Sequence, residues 1–262
     1  MGRHPEIPGF TLFEFSYQGK TKPVYSMGSA QNPGILLMHE LPGMVPECID
    51  LARRLSDEGF QVWMPLLVGK PGKLDIAGNL ARLCISREFN LLAKHKNSPV
   101  TEWLRALGRG LHYKTGGKGI GVIGQCLTGG FVLNLMADQH VLAPVASQPG
   151  LPGGFSKAAL AAVGVSKHAF KLAADRSKRD DLSLMGLRFT KDPMCTRARF
   201  DTLSNAFGDR FSRIEIDSSK GNAWGYSRIA HSVLTLDYMH EEGSPTREAY
   251  EGVVGFMKTQ LG

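Results

Sequence analysis

The sequence predicts an α/β fold, a mostly parallel twisted sheet with helices on both faces, and three observations point to it. Short apolar runs alternate with helical patterns along most of the chain, as repeated strand–helix–strand units require. The 262 residues suit one large core of this type, so residues 1–262 are expected to form a single domain. With 42% hydrophobic and 21% charged residues the core material is ample, and no stretch reaches the ~18 uninterrupted apolar residues of a membrane span.

In chain order the strand candidates are Thr11–Tyr17, Gly34–Met38, Gln61–Pro65, Gly119–Ile123, Ala143–Ser147, Leu184–Thr190 and Arg213–Asp217. Helical patterns fall at Glu47–Glu58, Leu127–Gln139, Thr196–Phe207 and Pro245–Thr259, with glycine stops at Gly59 and Gly208. Two stretches are longer than a crossover needs. Residues 67–117 carry Gly69, Pro71 and Gly72 and then a helix ahead of Gly116-Gly117, and residues 148–181 are rich in Gly, Pro and basic residues. Ligands of open α/β sheets sit beyond the carboxyl ends of the strands, so both excursions are expected to shape a pocket.

Lys and Arg outnumber Asp and Glu by 31 to 24, a net charge of +7, with a basic cluster at Lys167, Lys171, Arg176, Lys178 and Arg179. No helix-turn-helix, RNP or zinc-finger pattern accompanies the charge. The cluster therefore reads as a solvated face with some attraction for anionic substrates, and no nucleic-acid partner is expected. Cys48, Cys84, Cys126 and Cys195 are scattered and form no C-x-x-C pair, so neither a metal site nor a disulfide is expected. Met1–Phe10 lacks a basic start followed by an apolar stretch, and Glu6 stands where a myristoylation signal wants Ser or Thr. The expected location is the cytoplasm, with no membrane partner.

The sharpest chemical signal is Gly119-Ile-Gly-Val-Ile-Gly-Gln-Cys126-Leu-Thr-Gly-Gly130, an apolar strand entering a tight turn and then a helix. It is the nucleophile elbow G-x-S-x-G with sulfur in place of oxygen, and with Thr128 where the serine motif has its second glycine. An elbow holds its nucleophile at the start of a helix, where peptide dipoles favour a thiolate and the Leu127 amide can face a developing oxyanion. A phosphate loop of the Walker type would need Gly-Lys-Ser/Thr, which is absent.

A thiol nucleophile needs a base, and in this architecture the chain order is nucleophile, acid, histidine. Of the histidines after Cys126, His140 ends the elbow helix about 20 Å away at 1.5 Å per residue. His168 precedes the acid strand. His231 follows the last strand through a Gly/Asn-containing loop and fits the base. For the acid, Asp192 stands just past an apolar strand closed by Pro193. Asp217 is its rival, but its strand leads directly to the histidine loop, so Asp192 fits the order better. Leu36-Leu-Met-His-Glu40-Leu-Pro-Gly43 ends an early strand, and the Leu41 amide is placed to supply the second oxyanion donor.

Taken together, Gly-Gln-Cys126-Leu-Thr-Gly-Gly130, strand-terminal Asp192, Ala-His231-Ser232 and His-Glu40-Leu-Pro-Gly43 make the chain resemble the dienelactone hydrolase family from about Gly34 to Gly262. The resemblance implies an α/β-hydrolase fold, a Cys126–His231–Asp192 triad and hydrolysis of a small ester or lactone, anionic ones included, through an acyl-thiol, without a cofactor. It further implies that Glu40 contacts the resting thiol, that Arg87 binds a substrate carboxylate and that Ser232 lies at the substrate; a monomer or homodimer is expected. Four residues beyond the histidine, where the family's type enzyme has a second substrate-binding arginine, stands Thr235. Thioester cleavage or acyl transfer by the same residues, and a non-catalytic ligand-binding role, are the alternative readings.

Overall fold

The structure is a computed structural model and describes residues 4–41, 43–75, 78, 99–150 and 156–262. Its strands are β1 (Thr11–Tyr17), β2 (Lys20–Met27), β3 (Gly34–Met38), β4 (Gln61–Pro65), β5 (Ile120–Gln125), β6 (Val141–Ser147), β7 (Leu184–Phe189) and β8 (Phe211–Ile216). They form one sheet in the order β1-β2-β4-β3-β5-β6-β7-β8. The pairs from β4 through β8 are parallel, while β1–β2 and β2–β4 are antiparallel. The helices are α1 (Pro46–Asp57), α2 (Pro99–Thr115), α3 (Gly129–Leu135), α4 (Lys157–Ala161), α5 (Lys167–Asp180), α6 (Arg197–Phe207) and α7 (Pro245–Leu261).

The central strands are apolar on both faces because both faces are covered. In β3, Ile35 and Leu37 join a core with Leu51 and Leu55 of α1 and Val253 and Met257 of α7. Leu36 and Met38, pointing the other way, join Trp103 and Leu107 of α2, Phe131 of α3 and Phe200 of α6. Period-two alternation thus feeds two separate cores from one strand. Among the described residues no helix is long and apolar enough to cross a membrane.

Three expectations differ from what is observed. Strand β2 is unanticipated: its start, Lys20-Thr-Lys-Pro23, is polar and proline-containing. The strand exists because Gln18 and Gly19, with φ of 47° and 75°, form a tight hairpin that pairs Tyr17 with Lys20. The elbow helix expected over 127–139 is a 3-10 turn, Cys126–Thr128, followed by α3, which ends at Leu135. Beyond it the carbonyls of Met136, Asp138 and Gln139 turn inward and accept hydrogen bonds from the Arg176 guanidinium. Arg176 is accordingly not part of a solvated basic face but buried, pinning that turn.

Candidate active site

The elbow owes its shape to close packing. Gly124 admits no side chain, since a Cβ there would lie 2.3 Å from the Thr128 carbonyl oxygen. Cys126 follows with φ of 52°, the left-handed region that a non-glycine residue enters only when its surroundings hold it there. What holds it is visible in Thr128, the residue that stands in place of the serine motif's glycine. Its hydroxyl accepts the Gln125 N–H at 2.8 Å and lies 3.2 Å and 3.3 Å from the carbonyls of Met38 and His39, tying the end of β5 to the end of β3. Cys126 is 7% exposed, so the thiol sits in a recess and not in open solvent.

Asp192 stands three residues beyond β7. Its Oδ1 accepts the backbone N–H groups of Met194 and Cys195 at 2.8 Å and 3.1 Å, and its Oδ2 lies 2.6 Å from His231 Nδ1. Because Oδ1 is fixed by the chain, Oδ2 is aimed, and a carboxylate acceptor makes Nδ1 the protonated nitrogen. The histidine loop is fixed in turn by Asp237, whose Oδ2 accepts the N–H groups of both His231 and Ser232 at 2.9 Å. The other ring nitrogen, Nε2, is buried without a hydrogen-bond partner. With Nδ1 taken by Asp192, it is the ring nitrogen left to face the Cys126 sulfur and a Glu40 carboxylate oxygen, and the ligand atoms of these three residues all lie within 4.8 Å of one another. Burial alone would lower the His231 pKa, but the hydrogen bond to Asp192 and the neighbouring Cys126 sulfur outweigh it and push it up to about 10.

Glu40 is buried, two residues past β3. Ser232 donates its hydroxyl to Oε2 at 2.7 Å, and Thr235 donates to Oε1. The loop that carries Glu40 is braced by His39, whose Nδ1 lies 2.7 Å from the Glu40 carbonyl oxygen and whose Nε2 accepts the Leu67 N–H at 3.0 Å. Burial, with Lys22 adding to it and the Glu40 carbonyl opposing, holds the His39 pKa down to about 4. Leu41 and Leu127 line one small cavity of about 10 Å³ with His39, Glu40, Leu67, Val68 and Thr128.

The structure therefore brings Cys126, His231, Asp192, Glu40 and Ser232 together, with Leu41 and Leu127 beside them. Arg87 lies outside the described residues. Asp217 is exposed and bonded to Ser219 and Thr190, with Asp192 on the imidazole instead. Sequence reasoning missed the anchors: Thr235 on Glu40, Asp237 on the histidine loop, His39 under Glu40. It also missed Gly150, whose N–H donates to the Cys126 carbonyl at 3.0 Å and where a Cβ would stand 3.1 Å from His231 Cε1 and 3.5 Å from the sulfur. Nothing in local spacing signals such partners. A hydroxyl or carboxyl a few residues after a candidate histidine, as at 232, 235 and 237, is the nearest thing to a clue.

A thiol on the turn after β5, a carboxylate after β7 and a histidine after β8, on a sheet of this order, are the hallmarks of the α/β-hydrolase fold. The chain belongs to the dienelactone hydrolase family, whose family model matches residues 23–261, and it is a hydrolase by that membership. Solved structures share the fold at low sequence identity. A cold-adapted esterase from an Arctic intertidal metagenomic library has 14% identity and a TM-score of 0.65, covering 100% of this chain and 99% of its own. A dienelactone hydrolase-like promiscuous phosphotriesterase from metagenomic libraries has 13% identity and a TM-score of 0.63, covering 97% and 98%. The esterase domain of a Rhodothermus marinus protein has 14% identity and a TM-score of 0.62, covering 97% and 99%. No curated protein matches the chain.

Proposed function

We propose that this protein hydrolyses a small carboxylic ester or lactone through an acyl-Cys126 intermediate, in the cytoplasm and without a cofactor. The observation that carries the reading is the buried, otherwise unpartnered His231 Nε2 within 4.8 Å of the Cys126 sulfur, on a ring whose far nitrogen is held by Asp192. Because His231 holds its second proton up to about pH 10, the proton of the sulfur–imidazole pair rests on Nε2, and the Cys126 sulfur adds to the substrate carbonyl as the thiolate. The amides of Leu41 and Leu127 stabilise the oxyanion, each such donor being worth roughly 3 kcal/mol. The tetrahedral adduct collapses, His231 returns the proton to the leaving alkoxide, and a water deprotonated by His231 then attacks the thioester and frees Cys126. Asp192 keeps Nδ1 protonated and stabilises the imidazolium formed in each half-reaction. Arg87, following the family resemblance, takes a substrate carboxylate where one is present.

The test is mass spectrometry of the protein mixed with p-nitrophenyl acetate and a panel of small lactones and thioesters. An acyl adduct on Cys126 and loss of nearly all ester turnover in Cys126→Ala are expected, because such residues act as a unit. Undiminished turnover in Cys126→Ala would reject the assignment, and turnover of thioesters alone would move the substrate class.

A further inference from the structure

The same recess has the composition of a soft metal site. The Cys126 sulfur, His231 Nε2 and a Glu40 carboxylate oxygen lie within 4.8 Å of one another, and thiolate, imidazole and carboxylate are the three side-chain ligands that zinc takes. A tetrahedral zinc ion needs its ligand atoms about 3.5 Å apart, given metal–ligand bonds of about 2.0–2.3 Å. The three atoms are thus within a side-chain adjustment of that geometry, with a fourth position left for water. Nε2 itself is unpartnered, on a residue only 7% exposed.

The surroundings of the three ligands strengthen the case. Histidine ligands of metals are regularly oriented by a carboxylate on the second nitrogen, which is what Asp192 does for Nδ1 at 2.6 Å. Both Glu40 oxygens accept a hydroxyl proton, from Ser232 and Thr235, and each keeps a further lone pair for an ion. No C-x-x-C or His-x-x-x-His spacing announces such a site, because its ligands come from positions 40, 126 and 231 and meet only in the fold.

The geometry points to a zinc-class divalent cation binding at Cys126, His231 and Glu40, capping the thiol and holding the hydrolase inactive until a chelator removes it. The exchange balances simply: the ion enters, the one proton carried by the thiol–imidazole pair leaves to solvent, and no redox partner is involved. The inference requires only the three ligand atoms, not that the sulfur attacks an ester.

The full chain, reduced and freed of metal, is titrated with Co²⁺ and Zn²⁺. Expected are one ion per chain, a near-ultraviolet thiolate-to-cobalt band, and protection of Cys126 from iodoacetamide by Zn²⁺, read by mass spectrometry and reversed by EDTA. Thr235→Val, which loosens the Glu40 carboxylate without removing a ligand, is expected to weaken binding about ten- to hundredfold. The absence of a cobalt–thiolate band together with unchanged Cys126 alkylation in the wild-type chain overturns the inference. So does undiminished binding in Cys126→Ser, which would mark an adventitious ion only. A chain that binds the ion yet hydrolyses no ester or lactone loses the proposed function and keeps the metal site. One that hydrolyses esters with Cys126 unprotected does the reverse.

Discussion

Thr235 donates its hydroxyl to the Glu40 carboxylate from a position 195 residues further along the chain, and both side chains are buried. A residue that follows the site histidine by four thus fixes the acid that follows the third strand. Together with Ser232, it converts a flexible side chain beside the thiol into a positioned one.

Thr235→Val keeps the shape and removes the donor, leaving a buried carboxylate oxygen short of a partner. Such a loss costs about 1–3 kcal/mol. A lower urea midpoint with an unchanged slope is expected, and a smaller shift should follow if Thr235→Ser restores the hydroxyl. An unshifted midpoint for Thr235→Val would show that the bond contributes nothing to stability.

Much of this arrangement was legible in the sequence wherever function follows closely on a strand. Cys126, Asp192 and Glu40 stand one, three and two residues past β5, β7 and β3, so an apolar run followed by a turn was enough to place each near the carboxyl edge of the sheet. What spacing does not carry is contact between distant segments. Thr235 stood out only as a departure from the family pattern, and its role emerges once the fold sets it against Glu40. Strand β2 escaped notice because a hairpin turn and pairing with β1 create it, and the alternation of its side chains is masked by Lys20, Lys22 and Pro23. Arg176 reads as surface charge in sequence, yet it is buried by the backbone carbonyls it satisfies.

Gly150 is a second place where the site depends on something local spacing does not announce. A Cβ there would stand 3.1 Å from His231 Cε1, and the imidazole cannot yield freely, because Asp192 holds its Nδ1 at 2.6 Å. Gly150→Ala is therefore expected to tilt the ring off the sulfur and lower kcat/KM for ester substrates about tenfold or more, since small misplacements of a reacting group are costly. Stability should change by less than about 1 kcal/mol. Equal kinetics in the alanine variant would mean that the chain at 150 moves aside and that the ring does not depend on this wall.

The two histidines of the site region titrate in opposite directions, which gives the protein a definite pH dependence. His39, buried between the Glu40 carbonyl and the Leu67 amide, has its pKa held down to about 4 from an ordinary 6.5. Below 6.5 the unfolded chain takes up a proton that the folded chain refuses, so this contribution to stability is present above 6.5 and is lost as the pH falls towards 4. His231, raised to about 10, behaves oppositely. The folded chain keeps a proton that the unfolded chain releases above 6.5, so its contribution is complete below 6.5 and is lost as the pH rises through 10. Urea midpoints measured across this range should fall on both sides of a maximum near pH 6.5 from these two groups. His39→Gln should flatten only the acid limb and His231→Gln only the alkaline one. Because each variant is compared with the wild type at the same pH, the titrations of other groups cancel to first order. Limbs parallel to the wild type in both variants would contradict these protonation states of the two histidines, and with them the imidazolium that faces Cys126.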